Sequence, residues 1–381
     1  MLKRFAWITL LLLLLCSFAC AEAPEITADC KVTTVSAARD TAPMFDGAYK
    51  TKYTLRIRGT VEIAAEEAIS GVFIQYYDKA AVCDILVQQD GEWVVAAQTE
   101  EYLTGWYPLP EGTTAFRLYN GGKEKVQIAE LSVYGAGERP AHAATWHTLD
   151  KCDLMLLVAH PDDDLLWFGG LMPTYGGERQ LDVQTVYLVP TTGQRRLELL
   201  DGIWHCGITA YPAFGNMRDV RGETLEEQYN RWSRSTVYGR VVRIIRQFQP
   251  EVVVTHDFKG EYGHGAHQAC ADAAAHAVTA AADPAVNPGS VEDYGTWQVK
   301  KLYVHLYKKN ISFMDWETPL EAFSGKTAIE VATEALALHV SQVKNGWTMD
   351  DADLYDNTMF GLYYTTVGPD VAGGDFMENI P

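Results

Sequence analysis

Leu154-Met-Leu-Leu-Val-Ala-His-Pro-Asp-Asp-Asp164 is six apolar residues followed by a histidine, a proline and three aspartates. An uninterrupted apolar run of this length reads as a strand buried on both faces, the kind found in parallel sheets covered by helices. Comparable runs occupy 183–189, 252–255 and 302–306. Helical patterns fill the intervals at 195–206, 224–248, 267–281 and 328–344, with Pro250 and Pro284 as stops. The alternation predicts an α/β domain at 146–381, a Rossmann-like, mainly parallel sheet with flanking helices. Such sheets bind ligands beyond the carboxyl ends of their strands, where His160 and the aspartates fall.

A second polar cluster follows another of these strands. After 252–255 come His256-Asp257 and then Gly260-Glu-Tyr-Gly-His-Gly-Ala-His267. The two clusters offer His160, Asp163 and His267 to one divalent ion. Catalytic zinc takes three N/O ligands and keeps one position for water; ferrous iron accepts the same donors. Water on such an ion has a pKa near ~7. Asp162, beside a ligand, is placed to take a proton and pass it to a leaving amine. His264, three residues from His267, is placed to donate to an oxyanion. These parts hydrolyse an amide or ester. A local reading makes Pro161 a bend and Asp162 a helix cap, but two such motifs at two strand ends favour chemistry. A non-haem iron oxygenase also uses two histidines and a carboxylate; the additional Asp162 and His264 suit hydrolysis better.

The preceding region has a different rhythm. Short apolar runs at 32–35, 53–57, 72–77, 83–87, 93–97, 114–119 and 126–134 alternate with turn clusters such as Asp90-Gly91 and Asn120-Gly-Gly122. That spacing predicts an all-β sandwich over 24–134. Residues 135–145 read as a linker by composition. At the start, Lys3 and Arg4 precede an apolar run from Phe5 to Ala19, and small-x-small patterns end at Ala21 and Ala23. This predicts a signal peptide at 1–23 and a secreted or cell-surface protein. No later run is long enough for a transmembrane span.

Lys and Arg total 31 against 50 Asp and Glu, a net charge of −19. Such a surface repels phosphate backbones, which argues against nucleic acid as a partner. Cys30, Cys83, Cys152, Cys206 and Cys270 lie beyond the leader, an odd set without CxxC spacing. That is neither a disulfide framework nor a cysteine zinc site; Cys30–Cys83 is the one bridge worth testing.

The paired motifs resemble those of the PIG-L-like (LmbE-like) N-acetylglucosaminyl deacetylases. The family's AHPDDE stands here as Ala159-His-Pro-Asp-Asp-Asp164, and its GHPDH falls within Gly260-Glu-Tyr-Gly-His-Gly-Ala-His267. The likeness spans about 152–345 and takes in Arg195-Arg-Leu-Glu-Leu199 and His339-Val-Ser-Gln342. It implies Zn2+, or Fe2+, on His160, Asp163 and His267, with Asp162 as general base and acid. It implies His264 as the group stabilising the tetrahedral intermediate, Tyr262 as a mobile tyrosine polarising the amide carbonyl, and Arg195 as a substrate contact. Asp219 is a candidate for sugar hydroxyls or the amine, and His256 for a buried partner of the site or an alternative ligand, with a satisfied buried histidine the simpler reading. The implied reaction is deacetylation of an N-acetylated amino sugar or cell-surface glycan. Asp164 stands in place of the family's Glu, and Gly265-Ala266 in place of Pro-Asp, which removes a carboxylate that orients His264. From Phe45 to Gly135, ending in Ala129-Glu-Leu-Ser-Val-Tyr-Gly135, the first domain is similar to discoidin-like (F5/8 type C) domains, which implies a possible carbohydrate-binding role. The alternatives are a metal-dependent hydrolase of another amide or ester, and a glycan-binding protein with an inactive second domain.

Overall fold

The structure, a computed structural model, describes residues 21–35, 40–344, 346 and 355–381. The expected signal peptide lies outside the described residues as far as residue 20. Ala21 to Ala23 belong to the fold: Ala23 N donates to Glu138 O at 2.8 Å and Glu138 N to Ala21 O at 3.1 Å.

Among its described residues the first domain has nine strands: β1 (Lys31–Thr34), β2 (Tyr53–Leu55), β3 (Thr60–Ala64), β4 (Gly71–Tyr76), β5 (Asp84–Gln89), β6 (Glu92–Gln98), β7 (Thr104–Pro108), β8 (Ala115–Tyr119) and β9 (Val126–Tyr134). They pair antiparallel into two sheets, β1-β3-β8-β5-β6 and β2-β9-β4-β7, so the first domain is an all-β sandwich. Sequence reasoning missed β3 and β7. Glu62 divides the apolar residues of β3, and Gly105 and Pro108 give β7 the look of a turn. The described cysteines are all free: Cys83 is buried in the core, while the Cys30 thiol donates to Ile26 O at 3.3 Å.

The second domain has β10 (Leu154–Val158), β11 (Val183–Tyr187), β12 (Ala213–Phe214), β13 (Val252–Thr255), β14 (Lys301–His305), β15 (Ile311–Phe313) and β16 (Met359–Thr365). Their order is β12-β11-β10-β13-β14-β16-β15, parallel from β12 to β14 and antiparallel beyond. The helices are α1 (Asp163–Leu166), α2 (Gln194–His205), α3 (Leu225–Trp232), α4 (Arg234–Phe248), α5 (Gly265–Ala280), α6 (Pro288–Tyr294), α7 (Ala328–Ala337) and α8 (Val340–Val343). Two expected helices are each broken in two. The pattern at 224–248 divides at Ser233, whose φ of 62° lies outside helical space. The pattern at 328–344 stops after a capping box from Thr327 to Glu330 and one helix, then turns at His339.

The sheet is covered on both faces. Val241, Ile245, Ala273 and Ala277 of α4 and α5 pack on Met155, Val253 and Leu302. The other face, under α2 and α7, shares one apolar core with the sandwich. The connecting stretch is packed: Trp106 N donates to Ala144 O at 2.9 Å, and Trp146 Nε1 to Thr104 Oγ1 at 2.8 Å. Among the described residues no helix is long and apolar enough to cross a membrane.

Arg246 is buried at the end of α5 and, among the described residues, forms no ion pair with a carboxylate. Its guanidinium donates to the carbonyls of Ala281, Val286, Asn287 and Asp283 at 2.8–3.0 Å and to Ser290 Oγ at 2.7 Å. These carbonyls close the α5 terminus and the loop to α6, and a cation suits a helix C-terminus. Arg246→Met leaves them buried and unpaired, so a loss of about 3–5 kcal/mol is expected. Urea unfolding of both proteins measures it; an unchanged midpoint contradicts this account.

Candidate active site

Strand β10 delivers His160 to the end of the sheet, and the chain then turns sharply. Asp162 adopts φ 94°, a strained conformation for a residue with a side chain. The turn is held by side chains: Asp163 Oδ2 accepts from His160 N at 2.7 Å, and Asp164 Oδ1 accepts from Asp162 N at 3.0 Å. Asp164 Oδ2 takes the Tyr187 hydroxyl at 2.9 Å. The shorter acid in place of the family's Glu therefore lies under the turn and fixes the backbone of Asp162.

From β13 the chain reaches His256, the loop 260–263 and then α5, which begins beside the turn. His160, Asp162, Asp163, Arg195, Asp219, Tyr262 and His264 line one pocket of about 160 Å3 together with Leu166 and Gln342. His267 is buried beside it. The ligating atoms of His160, Asp163 and His267 all lie within 4.8 Å of one another. The structure thus brings all eight predicted residues together, with Asp219 exposed at the rim.

Glu261 sits behind the site, fully buried. Its Oε2 meets Nδ1 of His256 at 2.7 Å and Nδ1 of His267 at 2.8 Å; its Oε1 meets Nδ1 of His305 at 2.7 Å. Burial pushes this carboxyl up, yet the histidines, His256 foremost, hold it well below the usual range. An ionised carboxylate only accepts, so the proton of His267 is placed on Nδ1 and Nε2 is turned toward Asp163. That Nε2 is buried and lies 3.2 Å from Asp163 Oδ1 without a hydrogen bond. Burial works against positive charge at His267, yet Asp163 and Glu261 carry its pKa up to about 10. A divalent ion between His160, Asp163 and His267 meets the same demand, and a carboxylate behind a ligating histidine is a common feature of such sites. His256, Glu261 and His267 form a second close group, but both nitrogens of His256 are already engaged: Nδ1 with Glu261, and Nε2 accepting from Ala159 N at 3.0 Å. His256 is a satisfied buried residue.

The Gly265-Ala266 departure also has a physical reason. Gly265 N donates to Gly222 O at 2.9 Å, and a Cβ there would lie 2.5 Å from that oxygen, so proline does not fit. Where a carboxylate would accept from Nδ1, a backbone N–H donates to it instead: Ala266 N donates to His264 Nδ1 at 3.2 Å. This leaves the His264 proton on Nε2. Burial, with His267 and His160 adding, takes the His264 pKa down to about 3, so it is a neutral donor.

Burial pushes Asp162 up to about 8, with Arg195 pulling the other way. Arg195 Nη2 donates to Asp162 Oδ1 at 3.0 Å and to Pro161 O at 2.8 Å. With its amide turned to suit its neighbours, Gln342 donates to Asp162 Oδ2 at 3.3 Å and accepts from Arg195 Nε at 3.1 Å. Nothing in the sequence alone singled out Gln342, Glu261 or His305 for a role. His305 ends strand β14, a position of the kind that drew attention to His160. Trp167, whose Nε1 donates to Asp163 Oδ1 at 3.2 Å, was also missed.

With this geometry in view, comparisons with known proteins bear on the segment that carries it. Residues 155–278 match the family model "PIG-L: GlcNAc-PI de-N-acetylase". This segment is a PIG-L domain. The chain is 30% identical over 180 residues to a 1D-myo-inositol 2-acetamido-2-deoxy-alpha-D-glucopyranoside deacetylase of Frankia casuarinae, covering 39% of this chain and 57% of that protein. The chain therefore spans little more than half the length of that relative. Among solved structures it is similar to the N,N'-diacetylchitobiose deacetylase of Pyrococcus horikoshii, at 20% identity, 50% and 71% coverage and a TM-score of 0.38. The sandwich is similar to an F5/8 type C domain from Bacteroides fragilis, at 13% identity, 31% and 97% coverage and a TM-score of 0.26. The PIG-L match contains every proposed ion ligand together with Asp162, Tyr262 and His264.

Proposed function

We propose that this chain is an exported, metal-dependent hydrolase that removes the acetyl group from an N-acetylated amino sugar or glycan. One observation carries the reading: two histidines and an aspartate converge inside the PIG-L domain with a poised carboxylate and a neutral imidazole donor beside them. His160, Asp163 and His267 would hold a divalent ion, zinc or ferrous iron, which would supply a polarised and acidified water for attack on the amide carbonyl. Asp162, held by Arg195 and Gln342, accepts the proton and returns it to the leaving amine. His264 donates from Nε2 to the oxygen that gains charge, and Tyr262 lines the same pocket as a second donor. Arg195 and Asp219 stand at the rim to meet sugar hydroxyls. The reading is tested by acetate release from N-acetylglucosamine, its glycosides and chito-oligosaccharides. Release that stops with chelator and returns with zinc or ferrous iron is expected; release indifferent to chelator contradicts the proposal.

The pH profile follows from the same groups. Asp162 must be a carboxylate to act, so the rate rises with pH through its titration. Arg195 lowers that pKa, so Arg195→Met moves the acid limb of kcat to higher pH. A limb unmoved in that variant contradicts the assignment of Asp162 as base.

A further inference from the structure

The outer face of the sheet β2-β9-β4-β7 meets the second domain instead of solvent. Phe73 and Gln75 of β4 lie opposite Ser132 and Glu130 of β9, and they alternate with the core residues Val72, Ile74, Leu131 and Val133. Across from them stand Asp201 and Trp204 of α2. Tyr49 joins the two sides: its hydroxyl lies 2.5 Å from Asp201 Oδ2 and accepts from Gln75 Nε2 at 2.7 Å. Between the faces is a cavity of about 1160 Å3 that shares no lining residue with the catalytic pocket.

The chemistry of its walls selects a ligand. Phe45, Phe73, Trp204 and Phe323 present rings, which suit the C–H faces of sugar rings. Glu130, Asp201 and Glu25 present carboxylates, Glu130 also accepting from Ala48 N at 2.8 Å; His142 and His205 line the cavity as well, and among the described residues no lysine or arginine does. An anionic ligand is repelled there, while an ammonium meets both acids and aromatic faces. Burial takes both Glu130 and Asp201 up to about 7, the condition of buried acids short of a positive neighbour. We propose that this interdomain cavity is a second saccharide site, selective for an oligosaccharide bearing free amines. The choice of ligand rests on the deacetylase reading, since acetate removal leaves amines. Helix α2 links the two sites: Arg195 lies in its first turn and Asp201 six residues on, about 9 Å along the axis.

The test is calorimetric titration of the full chain with a β-1,4-linked glucosamine tetramer, its N-acetylated counterpart and a tetramer of uronic acids. The amine form is expected to bind at least ten-fold more tightly than the acetylated form, and the uronate not at all. Ser132→Trp, which fills the cavity from β9, weakens the amine form ten-fold or more. Glu130→Gln, a smaller change suited to the case where Ser132→Trp fails to fold, weakens it several-fold. No binding of the amine tetramer, equal binding of amine and acetylated forms, or undiminished binding by both variants overturns the proposal. Acetate release is scored separately. Binding lost with release intact removes only this site; release absent with binding intact removes only the reaction.

Discussion

Asp162→Asn lowers kcat by about 10²–10⁴-fold while leaving the ion affinity within a few-fold of the parent. The carboxylate touches no ion ligand directly: it is held by Arg195 and Gln342 on one side, and its backbone by Asp164 below. Asparagine keeps an oxygen for Arg195 but cannot take a proton at neutral pH. The loss is therefore expected in kcat, with KM little changed, because the substrate contacts proposed for Arg195 and Asp219 keep their side chains. Acetate release and metal content, measured on one preparation, check this. Turnover within two-fold of the parent would remove Asp162 from the mechanism.

Glu261→Gln is expected to have the second largest effect, although Glu261 lines no part of the pocket. Three imidazole nitrogens and the Asp257 N–H converge on its two oxygens. A glutamine amide offers one oxygen and turns two N–H donors toward the rest. Each buried donor left unpaired costs about 1–3 kcal/mol, so the melting temperature falls. His267 also loses the group that places its proton on Nδ1. Ion affinity is then expected to fall by about 10–100-fold, a change seen by competition with a chromogenic chelator even where activity is not assayed. Unchanged affinity together with unchanged stability would show that Glu261 is a bystander.

The site was legible in the sequence to the extent that its residues lie near strand ends. The apolar run that becomes β10 and the motif after β13 place His160, Asp163 and His267 on one edge of a parallel sheet, and the structure brings them together there. Glu261 was not legible, because its meaning comes from His256, His267 and His305 at once, and His305 arrives from a strand 44 residues on. The break at Ser233 was hidden too: Asn230, Ser233, Ser235 and Thr236 are weak helix formers, but the apolar spacing of a helix continues on both sides of them. Strand β16 escaped notice because Gly361 interrupts its tyrosine-rich run. The interdomain cavity left no local trace at all. Gln75 and Glu130 are polar residues inside apolar runs, and the arrival of α2 encloses them.

The central claim is that one divalent ion sits between three named side chains. Anomalous diffraction from crystals grown with zinc or ferrous iron tests it most directly. A single peak about 2.0–2.2 Å from a nitrogen of His160, an oxygen of Asp163 and Nε2 of His267 is the predicted result. A peak among His256, Glu261 and His267 instead, or none within reach of His160, would contradict it.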